Sequence, residues 1–347
     1  MLHLNIPYKE TIMEICYLIA FPDDVDEAAL QVEKLKGLKD APYFQAVDID
    51  MTSLGEETVV IEGHAIMVIR QRFDSYVQML ECRFVLQDPF AESVLQVRAR
   101  IESALQSRYI PEQYRINSLF EEYTILLVQD AKPTPDKWID KNALAISKFI
   151  RSQREVFDKT EMDEILISRT HYSTKDLTLV DWEGAVIIAS VGDFQSDIIL
   201  LKIGNYQLLR YRILDVSIEG MLDKLNDAFF KNKRRPRPTR GMLRQIAEHK
   251  LEVMMDFERA EQYMLLIGDW YTSKLYEAIQ AELYLKDWKE SVKTKLDNLE
   301  KIVETIKDNF SISWENLMDK VQMYLWLLLL LGYIYLYFLD AGWITIR

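Results

Sequence analysis

The side chains that could carry chemistry are few and lie far apart in the sequence. Asp181, Glu183 and Asp193 flank the apolar stretch GAVIIAS, and carboxylates at strand ends can hold a divalent cation. The same residue types are typical of turns and helix caps, which is the interpretation we favour. The histidines have no second metal ligand at a fixed helical or loop spacing: His3, His64, His171 and His249.

Motifs of known catalytic chemistry are missing from the sequence. It contains no GxSxG, no HExxH and no GxGxxG. Only 11 glycines occur in 347 residues, which disfavours a loop that binds nucleotide phosphates. We therefore predict a non-enzymatic protein with no catalytic residue, no metal site and no cofactor.

A basic segment at residues 231–244 departs from an otherwise acidic composition. The formal net charge is −13, so general attraction to nucleic acid is not expected. A local cluster can still bind anionic lipid headgroups or RNA phosphates. It can equally be a solvated linker kept extended by Pro236 and Pro238. Seven cations lie within these fourteen residues: Lys231, Lys233, Arg234, Arg235, Arg237, Arg240 and Arg244.

The stretch MYLWLLLLLGYIYLYFLDAGWITIR, which begins at Met323, is the most apolar part of the sequence. A helix of about 19 residues spans roughly 28 Å, close to the thickness of the hydrocarbon core of a bilayer. A buried core helix is the alternative, but five consecutive leucines leave no polar face. We predict a transmembrane helix at residues 321–340 and a short tail at residues 341–347.

The ends of the chain predict a tail-anchored protein with a cytoplasmic N-terminal domain. The first residues have no basic region before their apolar part, unlike a signal peptide. Two distant cysteines fit a reducing compartment. Within the membrane helix, one face carries a polar stripe that could contact a neighbouring helix or a pore. The stripe consists of Trp326, Tyr333 and Tyr337, which lie on the same face as Leu330 by helical spacing.

Residues 1–192 predict an α+β domain, because strand-like and helix-like stretches alternate. We expect a mostly antiparallel sheet with covering helices, followed by long helices and the membrane helix. TIMEICYLIAF and FEEYTILLVQD predict strands, and DPFAESVLQVRARIESAL a helix. Residues 21–38 predict a further helix, and residues 57–73 predict a strand paired with residues 74–86.

The following residues predict a helix at 193–230, the basic loop at 231–244 and a long helical stalk at 245–320. Gly204 and Gly220 are weak points of the first helix, and residues 308–313 allow either a kink or a continuous helix. Apolar residues at steps of three and four form a seam that needs a partner, either in the same chain or in another subunit. We expect a homo-oligomer joined along Val292, Leu296, Leu299, Val303, Ile306, Phe310, Trp314, Leu317 and Val321.

The segment WYTSKLYEAIQAELYLKDWKESVKTKLDNLEKIVETIKDNF, followed by a membrane helix, resembles the closing region of the "required for meiotic nuclear division" family. This resemblance implies an oligomeric, non-enzymatic scaffold anchored in a membrane. The order of α/β domain, long helix and membrane helix also resembles the CorA-type magnesium transporters. That family has two membrane helices with a GMN signature between them, whereas here one helix is followed by DAGWITIR.

These features favour a homo-oligomeric scaffold or accessory subunit of a membrane complex, in contact with membrane lipid and with a protein partner. One alternative is an ion channel or transporter subunit whose single membrane helices line a pore. Another is an enzyme at the membrane surface. Nucleic acid is an expected partner only through the basic loop.

Overall fold

The computed structural model describes residues 12–23, 33–34, 50–74, 76–152, 157–226 and 270–340, and six isolated positions between 244 and 255. The chain divides into two compact units. The first comprises Met1–Gly220 and Ala247–Val292, and the second Met221–Ile246 and Lys293–Arg347. The first unit therefore extends past residue 192, where the sequence predicts the α+β domain to end.

In the described part of the chain, nine strands form one sheet in the order β2-β3-β4-β5-β1-β6-β9-β8-β7. Neighbouring strands are antiparallel, except for the parallel pair β6 and β9. The strands are β1 (Ile12–Pro22), β2 (Glu33–Lys34), β3 (Asp50–Ile61), β4 (His64–Phe73), β5 (Val77–Phe84), β6 (Glu121–Gln129), β7 (Arg169–Ser173), β8 (Asp176–Val180) and β9 (Gly184–Ala189). The predicted α+β class with a mostly antiparallel sheet is confirmed.

The described helices either cover the sheet or follow it. They are α1 (Glu92–Tyr109), α2 (Glu112–Ile116), α3 (Pro135–Lys141), α4 (Ala143–Ile150), α5 (Lys159–Ile165), α6 (Gln195–Asn226), α7 (Trp270–Glu282) and α8 (Leu285–Asp340). Thr134 caps α3 through its hydroxyl, and Pro135 lies in the first turn, where its fixed backbone angle suits a helix. Helices α1, α3, α4 and α5 share one hydrophobic core with the strands.

The alternation of side chains along β1 divides this core between two faces of the sheet. Ile15, Tyr17 and Ile19 belong to the core cluster that includes α1 and α4. The residues between them face the other way. Leu18 lies opposite Glu81 of β5, which contacts Lys202 of α6. The fold is thus three-layered, with the sheet between α1, α3, α4 and α5 on one side and α6 on the other.

A buried ion pair links α6 to the sheet. Lys202 and Glu81 are in contact, and each side chain is 1% exposed. The Lys202 ammonium also donates to Gln71 Oε1 at 2.7 Å, and Arg83 Nε lies 2.5 Å from Glu81 Oε1. Burial raises the pKa of Glu81, but Lys202 and Arg83 outweigh it and hold this pKa below its ordinary value.

Gly204 lies where α6 packs closely against α7. A Cβ atom at this position would lie 2.4 Å from Ile279 Cγ2 and 3.1 Å from Leu283 Cδ1, both shorter than van der Waals contact. The sequence predicts a weak point here, yet α6 continues through it without interruption. The missing side chain allows two helices to pack closely.

The two cysteines are free and buried. Tyr17 pairs with Cys82, so Cys16, one residue earlier in β1, points to the opposite face of the sheet. Burial raises the pKa of Cys82 to about 12. Neither thiol is placed to bond the other.

Three of the predicted elements differ in the structure. The single strand expected over residues 57–73 is a hairpin, because Glu62 (φ 52°) and Gly63 (φ 79°) both adopt the left-handed conformation of a tight turn. The helix predicted over residues 21–38 is wrong at Glu33–Lys34, which form β2; most of its other residues lie outside the described part. Tyr284 (φ 52°) separates α7 from α8.

Candidate functional site

A cleft of about 1000 Å³ opens in the first unit, at the end of the sheet where β6 and β9 begin. Its walls come from α1, the start of β6, the turn between β8 and β9, α6 and the residues around the α7–α8 break. We call it the acidic cleft. Its lining includes Glu102, Gln106, Phe120, Glu121, Glu122, Thr124, Trp182, Glu183, Arg212, Glu282, Tyr284 and Trp288.

The wall between α1 and β6 carries two fixed carboxylates. Glu122 accepts hydrogen bonds from the Tyr17 hydroxyl and from the Gln106 amide. Glu102 accepts one from the Thr124 hydroxyl at 3.0 Å. Glu122 and Thr124 are two residues apart on a strand, so both face α1. Pairing of sheet and helix therefore places the two carboxylates side by side.

Arg98 lies behind this wall and is almost fully buried. Its Nε is 3.2 Å from Glu102 Oε1, and its Nη1 donates to the carbonyl of Phe149 at 2.7 Å. Its guanidinium also lies 4.4 Å from the Phe149 ring centroid. The charge of Glu102 is therefore balanced from inside the protein.

The turn between β8 and β9 is held by Tyr123. Its hydroxyl donates to the carbonyls of Asp181 and Gly184, at 2.7 and 2.9 Å. A Cβ at Gly184 would lie 2.5 Å from the Thr124 carbonyl oxygen, so only glycine allows the two parallel strands to begin this close together. The turn presents Trp182 and Glu183 to the cleft.

Arg151 stabilises the same turn by two contacts. Its Nη2 donates to Asp181 Oδ1 at 2.9 Å, and its guanidinium lies 5.2 Å from the Trp182 ring centroid. A cation is thus held between a carboxylate and an indole at the rim of the cleft.

The opposite wall comes from α6 and from the start of α8. Arg212 contacts Glu121 and donates to the Phe120 carbonyl at 3.1 Å. Tyr284 and Trp288 follow the end of α7 and line this side. Tyr284 lies between α7 and α8 in the left-handed backbone conformation, which interrupts the helix there. The rings of Tyr284 and Trp288 line the same cleft.

Burial away from water is the main influence on the pKa values of the carboxyl groups in the cleft. Burial raises the pKa of four carboxyls above the ordinary value, and the nearby guanidiniums of Arg98, Arg151 and Arg212 oppose this only in part. The four are Glu102, Glu121, Glu183 and Glu282. Carboxyls of raised pKa that are gathered in a cleft are typical of functional sites.

The structure separates the three carboxylates that flank GAVIIAS in the sequence. Asp181 and Glu183 precede β9, whereas the exposed Asp193 follows it. Five residue steps along a strand correspond to about 17 Å, too far for one cation. Among the described residues, no group of three or more His, Cys, Asp or Glu side chains could hold a metal ion.

The predicted seam lies on α8, but only part of it is described. Val292 and Leu299 are fully buried and Leu296 is 7% exposed, whereas Val321 is exposed. The side chains of five members lie outside the described residues: Val303, Ile306, Phe310, Trp314 and Leu317. The backbone of α8 continues as helix through residues 308–313. Assembly along the seam stays a prediction.

The basic segment lies almost wholly outside the described residues. Arg244 is helical and exposed, and the other six cations, Lys231, Lys233, Arg234, Arg235, Arg237 and Arg240, are not described. Its binding to lipid, RNA or protein stays a prediction.

One described helical segment, Met318–Tyr337, is long and apolar enough to cross a membrane. It overlaps the predicted span at residues 321–340, and its window is not buried at all within the protein. The members of the polar stripe are exposed with the rest of the segment: Trp326, Tyr333 and Tyr337.

Sequence reasoning missed most of the acidic cleft. Glu102 and Gln106 lie on a helix, Glu122 on a strand, and Tyr284 and Trp288 near a helix break, at no spacing that forms a motif. The only sequence signal was the pair Asp181 and Glu183 before an apolar strand. Pairing of β6 with β9 brings these groups together.

Two comparisons with known proteins find similarity. The sequence model of the family described as "Uncharacterized protein MJ0711, N-terminal domain" matches residues 60–195. This range runs from the end of β3 to the first residue of α6 and includes most of the residues that line the acidic cleft. The "Uncharacterized protein MJ0711" of Methanocaldococcus jannaschii is 24% identical over 216 residues, which cover 60% of this chain and 62% of that protein.

The chain thus matches about three-fifths of the length of this curated relative. No solved structure matches the chain. The resemblance of the C-terminal third to the "required for meiotic nuclear division" family stays a prediction, since the family match ends at residue 195.

Proposed function

We propose that this protein is a single-pass, tail-anchored membrane protein that acts non-enzymatically, as a homo-oligomeric scaffold or accessory subunit of a membrane complex. The observation that carries this proposal is the apolar segment Met318–Tyr337, none of which is buried in the protein. Contiguous apolar surface of this extent is costly in water and is removed from it by a bilayer. Twenty helical residues are about 30 Å long, as a membrane crossing requires.

The apolar segment belongs to one long helix, α8. This helix runs from Leu285 to Asp340, 56 residues, without a break in its backbone. It begins among the residues of the first compact unit, next to the acidic cleft. We propose that the N-terminal domain lies on the cytoplasmic side of the membrane.

Flotation with liposomes tests the anchor. The full chain and a version that ends at Lys320 are mixed with liposomes and centrifuged through a sucrose gradient. We expect the full chain to float with the lipid after washing at alkaline pH and the shortened chain to stay at the bottom. Aggregates sink, so flotation separates insertion from simple insolubility. A full chain that the alkaline wash releases would refute the anchor.

Native mass in mild detergent tests the oligomer. Leu299 is buried within the chain, so its replacement would mix unfolding with dissociation. The seam variant Val303→Glu/Ile306→Glu avoids this residue, and Lys301→Glu at an exposed position of the same helix is the control. We expect a defined oligomer that the seam variant dissociates and the control leaves intact. A monomeric full chain would contradict the scaffold assembled along the seam.

The exposed tyrosines of the apolar segment favour the channel alternative as a second candidate. Tyr333 is 77% exposed in the interior of the segment, and a hydroxyl at that depth needs a hydrogen-bond partner, such as another helix or water in a pore. Ion flux through reconstituted liposomes that Tyr333→Phe abolishes would favour the channel. Absence of flux from the assembled oligomer would leave the scaffold.

A further inference from the structure

We propose that the acidic cleft binds a small organic cation, an alkylamine of the polyamine type. The proposal concerns the first compact unit and does not depend on membrane anchoring. It rests on the surplus of negative charge in the cleft, on its aromatic walls and on its volume.

Negative charges outnumber positive charges in the lining of the cleft. Five carboxylates and one guanidinium face it. Glu102 pairs with Arg98 and Glu121 pairs with Arg212. Within the described part of the chain, the other three carboxylates form no ion pair: Glu122, Glu183 and Glu282. A cationic ligand would supply the missing positive charge, whereas an anion would be repelled.

Aromatic rings supply the second element of recognition. Trp182 is 50% exposed and Tyr284 60% exposed, and Trp288 completes the lining next to them. Electron-rich ring faces attract ammonium and guanidinium groups, with indole the strongest. Arg151 already forms this arrangement inside the chain, bound to the Asp181 carboxylate and lying over the Trp182 ring.

The volume and the spacing of the acids favour an organic cation over a bare metal ion. A cleft of about 1000 Å³ is at the upper end of the range of small-molecule sites. The five carboxylates come from α1, β6, the turn between β8 and β9, and α7, and the described residues contain no group of metal-ligand spacing. Carboxylates spread along the acidic cleft suit a flexible chain with several ammonium groups.

Glu183 is the residue on which the test should concentrate. Its backbone N–H donates to Asp181 Oδ2 at 3.3 Å, which fixes the turn, and its carboxylate lines the cleft. Substitution by glutamine keeps the shape and removes one charge. Glu112 of α2 is an exposed glutamate outside the cleft and provides a matched control.

The experiment is calorimetric titration of the full chain in a nonionic detergent with spermidine, at fixed pH and moderate salt. We expect saturable binding that is about tenfold weaker in Glu183→Gln and about threefold weaker in Trp182→Ala. Glu112→Gln should bind as the unchanged chain does. Mg²⁺ at equal total charge should compete poorly, since it gains nothing from the aromatic walls.

The proposal would be overturned by no binding of spermidine, by equal weakening in Glu183→Gln and Glu112→Gln, or by displacement of spermidine by Mg²⁺ at equal charge. The last two would indicate general electrostatic attraction to an acidic protein. Glu282→Gln serves as a second variant from a different wall, and thermal unfolding shows that each variant is folded. If Glu183→Gln and Glu282→Gln are both folded and bind spermidine as tightly as the unchanged chain does, the site is also excluded.

Discussion

Replacement of Lys202 by methionine should destabilise the first unit through the buried ion pair with Glu81. Methionine has a similar volume and leaves no large cavity, so the change isolates the charge. Breaking a buried pair by removing one partner costs about 3–5 kcal/mol. Arg83 Nε still lies 2.5 Å from Glu81 Oε1 and partly balances its charge. We therefore expect the free energy of unfolding to fall by about 3 kcal/mol, the lower end of this range. That is a large fraction of the roughly 5–15 kcal/mol of a typical domain.

The assay is urea unfolding of the full chain in detergent, followed by tryptophan fluorescence. The double variant Glu81→Leu/Lys202→Met removes both charges and should recover most of the lost free energy of unfolding, because an apolar pair packs in the same space. Lys274→Met is the control: Lys274 and Glu277 are 2.7 Å apart but 51% and 56% exposed. Its expected effect is at most about 1 kcal/mol.

The pH dependence of the same pair has a defined sign. The pKa of Glu81 is lowered in the folded protein, so its contribution to stability is complete above the unfolded pKa of about 4.3 and is lost as pH falls through the folded value. Lys202→Met should therefore lose less additional stability on acidification than the unchanged chain. An equal cost for Lys202→Met and the exposed control would refute the reasoning.

Two further substitutions test the packing around the cleft. Gly204→Ala should lower the thermal unfolding midpoint, because its Cβ would lie only 2.4 Å from Ile279. Gly220→Ala on the same helix is the control: its Cβ meets nothing within 4 Å, so the higher helix propensity of alanine should raise the midpoint. Equal shifts would contradict the close helix contact. Tyr123→Phe should cost about 1–3 kcal/mol in urea unfolding, because two buried carbonyls lose their donor. Tyr109 is half-buried, but its hydroxyl donates to Glu57 at an exposed site, so Tyr109→Phe should change little; equal costs would exclude a role of Tyr123 in holding the turn.

Local sequence patterns predicted the elements whose periodicity is strong. The strand Ile12–Pro22 and the helix Glu92–Tyr109 lie where apolar alternation and helical spacing place them. The hairpin at residues 62–63 was missed because its EG turn is not one of the strong turn signals and apolar alternation continues on both sides. The break at Tyr284 carries no glycine or proline and could not be predicted from residue type.

The sequence by itself determined the fold class and the apolar C-terminal helix, because both follow from the order and spacing of apolar residues along the chain. Only the tertiary structure decided the acidic cleft. Its carboxylates and rings come from segments as far apart as Glu102 and Trp288, and the parallel pairing of β6 with β9 and the break at Tyr284 bring them together. Tertiary packing also decided that Lys202 and Glu81, ordinary surface residue types in the sequence, form a buried ion pair.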